Sequence, residues 1–198
     1  SMKNIKTILG IITILGSLTA SSQHFAMKLG LNGTNLPIEN SDNGKIKPGF
    51  IVGMLLNFEL SDKFQIQPEL LFGTWGAKYD IDGQDKDDAL AFTGFTLPLM
   101  FKYSLIPKLM FEFGPSMTFF TNTEYQDNGE PKNTLDVNDL YKSSDLGLNV
   151  GLTLSPAESI DLGLRYYLGL TNLSTLDPDV SGVNIKSTAI QLALTCSF

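Results

Sequence analysis

Regular alternation of large apolar residues with small or polar ones is the feature that most constrains how this chain can fold. It is clearest at positions 190–198, which read IQLALTCSF. Side chains of a β-strand alternate between two faces, so this segment predicts a strand with one apolar and one small or polar face. An unpaired strand edge invites aggregation, whereas the edge of a strand that closes a barrel is paired. The segment therefore predicts a closing strand, and an outward apolar face predicts a barrel embedded in lipid.

The same alternation recurs in seven further runs, which gives eight predicted strands. These runs lie at 25–32, 50–60, 64–73, 95–104, 109–119, 146–154 and 160–171. Short connections at 61–63, 106–107 and 156–158 alternate with long polar ones at 35–47, 80–88, 124–143 and 172–186. Short turns at one end and long loops at the other are typical of outer-membrane barrels. The pattern predicts an all-β fold, an eight-stranded antiparallel up-and-down transmembrane barrel with short periplasmic turns and long extracellular loops.

A soluble eight-stranded barrel is the competing architecture. Such a barrel has apolar residues inside and polar residues outside, whereas here the opposite face mixes glycine, serine and asparagine with charges. Small residues facing a narrow interior and bulky apolar residues facing lipid agree better with this pattern. No segment after the N-terminal region approaches 18 consecutive apolar residues, so we expect no membrane-spanning helix there.

Three prolines interrupt the predicted strands. They are Pro68, Pro98 and Pro115. A proline has no N–H to donate to a neighbouring strand. We therefore expect each of them at a β-bulge or near a rim of the barrel.

The N-terminal residues have the layout of a secretory signal peptide. Lys3 and Lys6 precede the apolar segment Ile8–Leu18, and the small residues at 20–22 follow it. Ser1 stands before Met2 and looks like a cloning remnant. We expect residues 1–22 to be this leader region and residues 23–198 to form one barrel domain.

Composition excludes several functional classes. The formal net charge of −7 argues against nucleic acid as a partner. A single cysteine, Cys196, excludes an intramolecular disulfide, and together with a single histidine, His24, it excludes a metal cluster of those residue types. His24 is also far from the predicted loops, so no Ser-His-Asp set is expected there. We expect a protein that is not an enzyme, without a cofactor, and with Cys196 on the lipid face.

Seven charged residues are predicted to face the lumen. They are Lys28, Glu59, Glu69, Lys102, Glu112, Asp161 and Arg165. Buried charges must be paired, so they form either a salt-bridged plug or a gated ion path. An eight-stranded barrel is only just wide enough for its own side chains, which favours the plug.

One acidic segment resembles half of a calcium-binding loop. Asp80, Asp82, Asp85 and Asp87 alternate around Gly83. The segment lacks the distal glutamate and the flanking helices of an EF-hand. A solvated acidic hairpin tip is the favoured interpretation, and a weak calcium site is the alternative.

Four motifs resemble those of one family of small barrels. They are KLGLN at 28–32, FQIQPELL at 64–71, LPLMFKY at 97–103 and LRYYLGLTN at 164–172. Together they are similar to the outer-membrane β-barrel family of the Bacteroidota, described as porin-family or PorT-like. That family also has prolines where Pro68 and Pro98 stand.

The resemblance implies the fold and the location in the outer membrane of a Gram-negative bacterium. It also implies that the aromatic Phe198 serves as an assembly signal for the outer-membrane assembly machinery. The expected partners are outer-membrane lipid, lipopolysaccharide, that machinery and a protein at the extracellular loops, with the barrel itself a monomer. Activity is not implied, although PorT-like relatives are linked to a secretion and gliding apparatus.

Three functions remain open from the sequence. The first is a plugged, non-catalytic barrel that acts through its extracellular loops or in envelope integrity. The second is a narrow porin for ions or small solutes, and the third is an accessory subunit of an outer-membrane secretion complex. An enzyme ranks last.

Overall fold

The structure, a computed structural model, describes residues 23–37, 44–80, 87–127, 130–131, 142–174 and 185–198. These residues form nine strands. The strands are β1 Gln23–Asn35, β2 Gly44–Ser61, β3 Phe64–Asp80, β4 Asp87–Ile106, β5 Leu109–Asp127, β6 Glu130–Pro131, β7 Ser144–Ala157, β8 Ile160–Gly169 and β9 Thr188–Ser197. Within these ranges, no helix has the length and apolar character needed to cross a membrane.

Eight of the strands close into a single antiparallel barrel. The order around it is β4-β3-β2-β1-β9-β8-β7-β5, and pairing between β4 and β5 completes the ring. The two-residue strand β6 pairs only with the end of β5. The predicted eight-stranded up-and-down barrel is confirmed.

The seam between β1 and β9 is where the two ends of the barrel domain meet. The two strands pair antiparallel, with Leu29 opposite Leu194 and Leu31 opposite Leu192. Beyond β9, the backbone N–H of Phe198 donates to the carbonyl oxygen of Phe25 at 2.9 Å. The last strand therefore has a partner on each side, as the alternation at 190–198 predicts.

A belt of large apolar side chains covers the outside of the barrel. On β9, the exposed fractions of Ile190, Leu192 and Leu194 are 51%, 55% and 41%, whereas Ala193 between them is 8% exposed. Comparable outward apolar residues stand on each of the eight barrel strands. This belt matches a lipid environment, because outer-membrane barrels carry an outward-facing apolar band where they contact lipid.

One side of the barrel is longer than the sequence predicts. Strands β2 to β5 have 18, 17, 20 and 19 residues, whereas β7, β8 and β9 have 14, 10 and 10. The predicted loop at 80–88 is partly strand, since Asp80 pairs with Asp87, and β5 extends to Asp127. The alternation does not show these extensions, because they lie beyond the lipid belt. We call β2–β5 the long wall and β7–β9 the short wall.

The expectation for the three prolines is wrong. Pro68 lies between two ladder pairs of β2 and β3, Leu55 with Glu69 and Phe58 with Ile66, that share one register. The β3–β4 ladder at Pro98 and the β4–β5 ladder at Pro115 are each interrupted and then resume in the same register. A proline removes a single donor, and the long ladders on both sides hold the register without a bulge.

Candidate lumen site

The interior of the barrel carries a cluster of charges near the short turns. Six residues form this charge layer. They are Lys28 on β1, Glu69 on β3, Lys102 on β4, Glu112 on β5, and Asp161 and Arg165 on β8. We call the barrel end with the short turns the turn end and the opposite one the loop end.

Arg165 is the centre of the charge layer. Its Nη1 and Nη2 donate to Oε2 and Oε1 of Glu69 at 3.0 and 2.9 Å, and its Nε donates to Oε1 of Glu112 at 2.8 Å. Such a two-pronged contact uses the planar geometry of guanidinium and carboxylate. One arginine therefore joins strands β3, β5 and β8.

Glu69 accepts from two further side chains. The ammonium of Lys28 lies 2.7 Å from its Oε1, and the amide of Gln67 donates to the same oxygen. This carboxylate thus has charged partners from β1 and β8 and a neutral one from its own strand. Four close donors compensate for the removal of Glu69 from water.

Glu112 and Asp161 have looser contacts with Lys102. The ammonium of Lys102 is 3.9 Å from Oε2 of Glu112 and 4.0 Å from Oδ2 of Asp161. Hydroxyl groups complete the set, with Thr153 donating to Glu112 at 3.1 Å and Ser155 donating to Asp161 at 2.5 Å. The charge layer thus contains three cations and three anions, and its formal charges cancel.

Because the layer is buried, its positive and negative charges must compensate each other. The exposed fractions of Lys28, Glu69, Lys102, Glu112 and Arg165 lie between 2% and 6%. Removing one partner from a buried pair typically costs about 3–5 kcal/mol, since it leaves a buried charge without compensation. Each member of the layer is therefore tied to the others.

A glycine makes room for the central contact. Gly151 of β7 pairs with Arg165, and a Cβ at this position would lie 3.0 Å from Oε1 of Glu112 and 2.5 Å from the carbonyl oxygen of Leu164. The absence of a side chain lets the guanidinium and the carboxylate meet against the barrel wall. Glycine in a strand often marks such a close approach.

Glu59 differs from the other six predicted lumen residues. It is exposed and stands near the end of β2, where it lines a recess of about 390 Å³ at the turn end together with His24 and Gln65. Asp161 lines the same recess. The alternation does not separate the faces of β2 at this end, since Phe58, expected to face outward, is buried and the register shifts between Glu59 and Ser61.

A second polar cluster lies nearer the loop end, and the sequence did not reveal it. The buried carboxylate of Asp145 accepts from the hydroxyl of Tyr167 at 2.7 Å, from the hydroxyl of Ser187, and from the backbone N–H of Thr171 at 3.3 Å. A Cβ at Gly147 would meet the ring of Tyr167 at 2.3 Å. Two adjacent tyrosines in β8 were the available signal, because one of them must face inward.

An apolar cluster fills the lumen at the loop end. Its buried members are Leu36, Trp75, Ala77, Leu90, Phe92, Leu173 and Ile185, and Phe120 packs against them. The ring centroids of Phe92 and Phe120 are 4.9 Å apart, and those of Trp75 and Phe120 are 6.2 Å apart. The sequence does not indicate this cluster, because the alternation predicts an inward face that is small or polar throughout.

Little free space remains within the charge layer. The cavity lined by Lys28, Lys102, Glu112, Asp161 and Arg165 measures about 10 Å³. This volume is close to the minimum that holds one water molecule. The side chains of the described residues therefore fill the lumen at this depth.

The predicted calcium loop lies partly outside the described residues. Asp82 and Asp85 are outside them, and the structure describes Asp80 and Asp87 only as strand ends. In the part of the chain that is described, no three His, Cys, Asp or Glu side chains are arranged to hold a metal ion. Cys196 is half-buried near the end of β9.

A closed antiparallel barrel with an apolar belt and a filled polar lumen defines an integral membrane β-barrel. The chain belongs to the family described as "Outer membrane protein beta-barrel domain", whose model matches residues 20–175. Membership in this family places the protein in the outer membrane of a Gram-negative bacterium.

Solved structures show the same fold at low sequence identity. The Neisserial surface protein A is 11% identical, with a TM-score of 0.54, and the match covers 88% of this chain and 97% of that one. Ail, the attachment invasion locus protein of Yersinia pestis, solved in complex with the heparin analogue sucrose octasulfate, is 11% identical. Its TM-score is 0.51, and the match covers 89% of this chain and 99% of Ail. No curated protein is similar to the chain in sequence.

Proposed function

We propose that the protein is a non-enzymatic outer-membrane barrel whose lumen is closed by paired charges, and that it acts through its extracellular loops or in envelope integrity. One observation carries this proposal. The charge layer joins β1, β3, β4, β5 and β8 across the lumen and leaves a cavity of only about 10 Å³. A hydrated ion is larger than one water molecule, so a lumen packed in this way obstructs its passage.

The narrow porin is the second candidate, favoured by the recess at the turn end. Two openings of about 390 and 400 Å³ share Gln65, Met110, Ser155 and Glu158, and so form one entrance at the turn end. This entrance leads from the turn end to Asp161 in the charge layer. An aqueous entrance is necessary for a pore, whereas the narrow charge layer supports a closed lumen.

Planar-bilayer recording separates these two candidates. We expect the purified full chain, shown to be folded by its heat-dependent shift in gel mobility, to give no stable unitary conductance. Empty bilayers formed with the same detergent serve as the control for leakage. A stable unitary conductance that requires the folded protein would contradict the closed lumen and favour the narrow porin.

The proposal includes the partners and the export route. The apolar belt supports lipid and lipopolysaccharide as surroundings, and the signal-peptide layout of residues 1–22, which lie outside the described residues, supports export. Phe198 supports a role as an assembly signal, because its aromatic side chain is 75% exposed at the turn end. The closed ring of strands supports a monomer.

The resemblance to porin-family and PorT-like barrels of the Bacteroidota supports the remaining alternative, an accessory subunit of a secretion complex. Affinity purification from native outer membranes tests it, with an unrelated outer-membrane barrel as the matched bait. We expect no partner recovered in a fixed ratio to the chain. A stable stoichiometric partner would favour the accessory subunit.

A further inference from the structure

Lys102 is the member of the charge layer with the least direct compensation. Its ammonium stands 3.9 and 4.0 Å from the nearest oxygens of Glu112 and Asp161, which is beyond hydrogen-bond distance. By comparison, Arg165 reaches its two carboxylates at 2.8–3.0 Å. Lys102 is only 3% exposed, so its side chain has little contact with bulk solvent.

Two carboxylates at this distance from a buried ammonium suit a bridging water. A polar contact longer than about 3.5 Å is commonly completed by a water molecule between the two groups. The water would accept from Lys102 and donate one hydrogen to Glu112 and the other to Asp161. Three polar partners fall within the two to four that a buried water typically has.

The space for such a water is present at this point. The cavity of about 10 Å³ is lined by Lys102, Glu112, Thr153, Asp161 and Gln191, among others. A site must be both polar and large enough to hold water, and about 10–15 Å³ is the minimum volume. This cavity satisfies both conditions for one molecule.

The cavity borders the recess at the turn end. Asp161 lines both this cavity and the recess of about 390 Å³ at the turn end, and Ser155, its hydrogen-bond partner, lines the recess as well. Toward the loop end, the next inward residue of β4 on the same face is Met100, which is fully buried. Beyond it stands the apolar cluster around Phe92.

We propose that one water molecule bridges Lys102 to Glu112 and Asp161 and exchanges with solvent through the turn-end recess. In this proposal, water enters the lumen from the turn end alone. The bridge completes the compensation of the buried ammonium. It also makes the turn-end half of the charge layer hydrated, while the half around Glu69 and Arg165 is held by direct contacts. The proposal is independent of the role of the extracellular loops.

A crystal structure of the refolded full chain, at a resolution that shows ordered solvent, tests the bridge. We expect one solvent peak within hydrogen-bond distance of Nζ of Lys102, Oε2 of Glu112 and Oδ2 of Asp161. The variant Lys102→Arg should lose this peak, because the longer guanidinium reaches the carboxylates directly. A direct Lys102 contact with both carboxylates and no peak would overturn the proposal.

Thiol reactivity tests the one-sided access, in a background where Cys196→Ala removes the native thiol. Ser155→Cys places a thiol in the recess of about 390 Å³ at the turn end, and Thr96→Cys places one at a buried position on the loop side of the layer. In detergent micelles, where both barrel ends meet solvent, we expect a small charged methanethiosulfonate to modify position 155 at least tenfold faster than position 96. Equal rates, or no reaction at position 155 in folded protein, would contradict access of water from the turn end alone.

Discussion

Arg165 makes three close hydrogen bonds to two carboxylates. Glu69 belongs to β3, which lies opposite β8 in the ring, and Glu112 belongs to β5, which is separated from β8 by β7 alone. A methionine at this position has a comparable length but no donor. It would leave Glu69 with Lys28 alone as a charged partner and Glu112 with the distant Lys102. Individual residues of the layer therefore contribute to stability mainly through the charges that they compensate.

The first prediction concerns Arg165→Met. We expect it to lower the free energy of unfolding by about 3–5 kcal/mol, because it leaves two buried carboxylates undercompensated. Urea unfolding in lipid vesicles measures this, with the fluorescence of the single tryptophan, Trp75, as the signal. Tyr166→Phe, on the lipid face of the same strand, is the matched control and should change stability by less than about 0.5 kcal/mol. Equal stability of Arg165→Met and the wild type would refute this account.

The second prediction uses two glycines on neighbouring strands. A Cβ at Gly151 meets the carbonyl oxygen of Leu164 at 2.5 Å, whereas a Cβ at Gly163 meets nothing nearer than 3.9 Å. We expect Gly151→Ala to lower the free energy of unfolding by about 1–3 kcal/mol through overpacking, and Gly163→Ala to be tolerated. The same urea titration compares them, and a tolerated Gly151→Ala would show that the contact between Arg165 and Glu112 does not need this space.

The base of the β8–β9 connection shows how one side chain organises whole elements. Asp145 at the start of β7 holds Tyr167 of β8, Thr171 after β8 and Ser187 before β9. Next to this cluster, the backbone N–H of Leu173 donates to the carbonyl oxygen of Ile185 at 2.8 Å. Three strands of the short wall are thereby fixed to each other at the loop end.

The third prediction is that Tyr167→Phe loosens this base. The change removes one donor from a buried carboxylate, which typically costs about 1–3 kcal/mol. We expect faster hydrogen exchange at the amides of Leu173 and Gly169, which both bond across the base, and unchanged exchange in the β1–β2 ladder. Tyr166→Phe again serves as the control. Unchanged exchange at Leu173 would show that Asp145 does not hold the connection.

The sequence predicts the strands well where lipid sets the pattern and less well elsewhere. Alternation in β9 identifies the lipid face, because each outward position needs an apolar side chain and successive side chains of a strand point to opposite faces. At the loop end of β4, no lipid acts on the outward face, so the strand continues to Asp87 without that signature. Pro98 shows a further limit, since a single lost donor does not break a long ladder.

The residues of the charge layer could be selected from the sequence, but their contacts could not. Parity within each strand assigns Glu69 and Arg165 to the inward face. Which cation reaches which anion depends on the stagger between strands β3, β5 and β8, and on the space left by Gly151. The sequence does not indicate the inward position of Phe92 and Trp75 either. The alternation predicts small or polar residues on the inward face, whereas these two lie in the apolar cluster at the loop end.

For the whole molecule, we propose that the charge layer acts as a cross-brace rather than a gate. The fourth prediction concerns the double variant Glu69→Gln with Lys102→Met, which removes one anion and one cation and so preserves the net charge. We expect a lower temperature for the heat-dependent shift in gel mobility and still no stable unitary conductance, because the volume of the side chains is retained. The wild type measured in parallel is the control. A conducting double variant with unchanged heat stability would show that the charges gate a path instead of bracing the wall.

The unequal walls have a consequence for what meets the protein from outside. At about 3.3 Å per residue and a tilt of about 40°, a strand of 20 residues such as β4 rises roughly 50 Å, and one of 10 residues such as β9 rises roughly 25 Å. The apolar band of outer-membrane barrels is itself about 25 Å tall. Among the described residues, the rim at the loop end is therefore bevelled: β9 begins near the membrane surface, while the loop-end parts of β3, β4 and β5 project well above it. With the loop end outward, as we expect, a large molecule arriving at the cell touches these projecting strand ends before it reaches the described residues of the short wall.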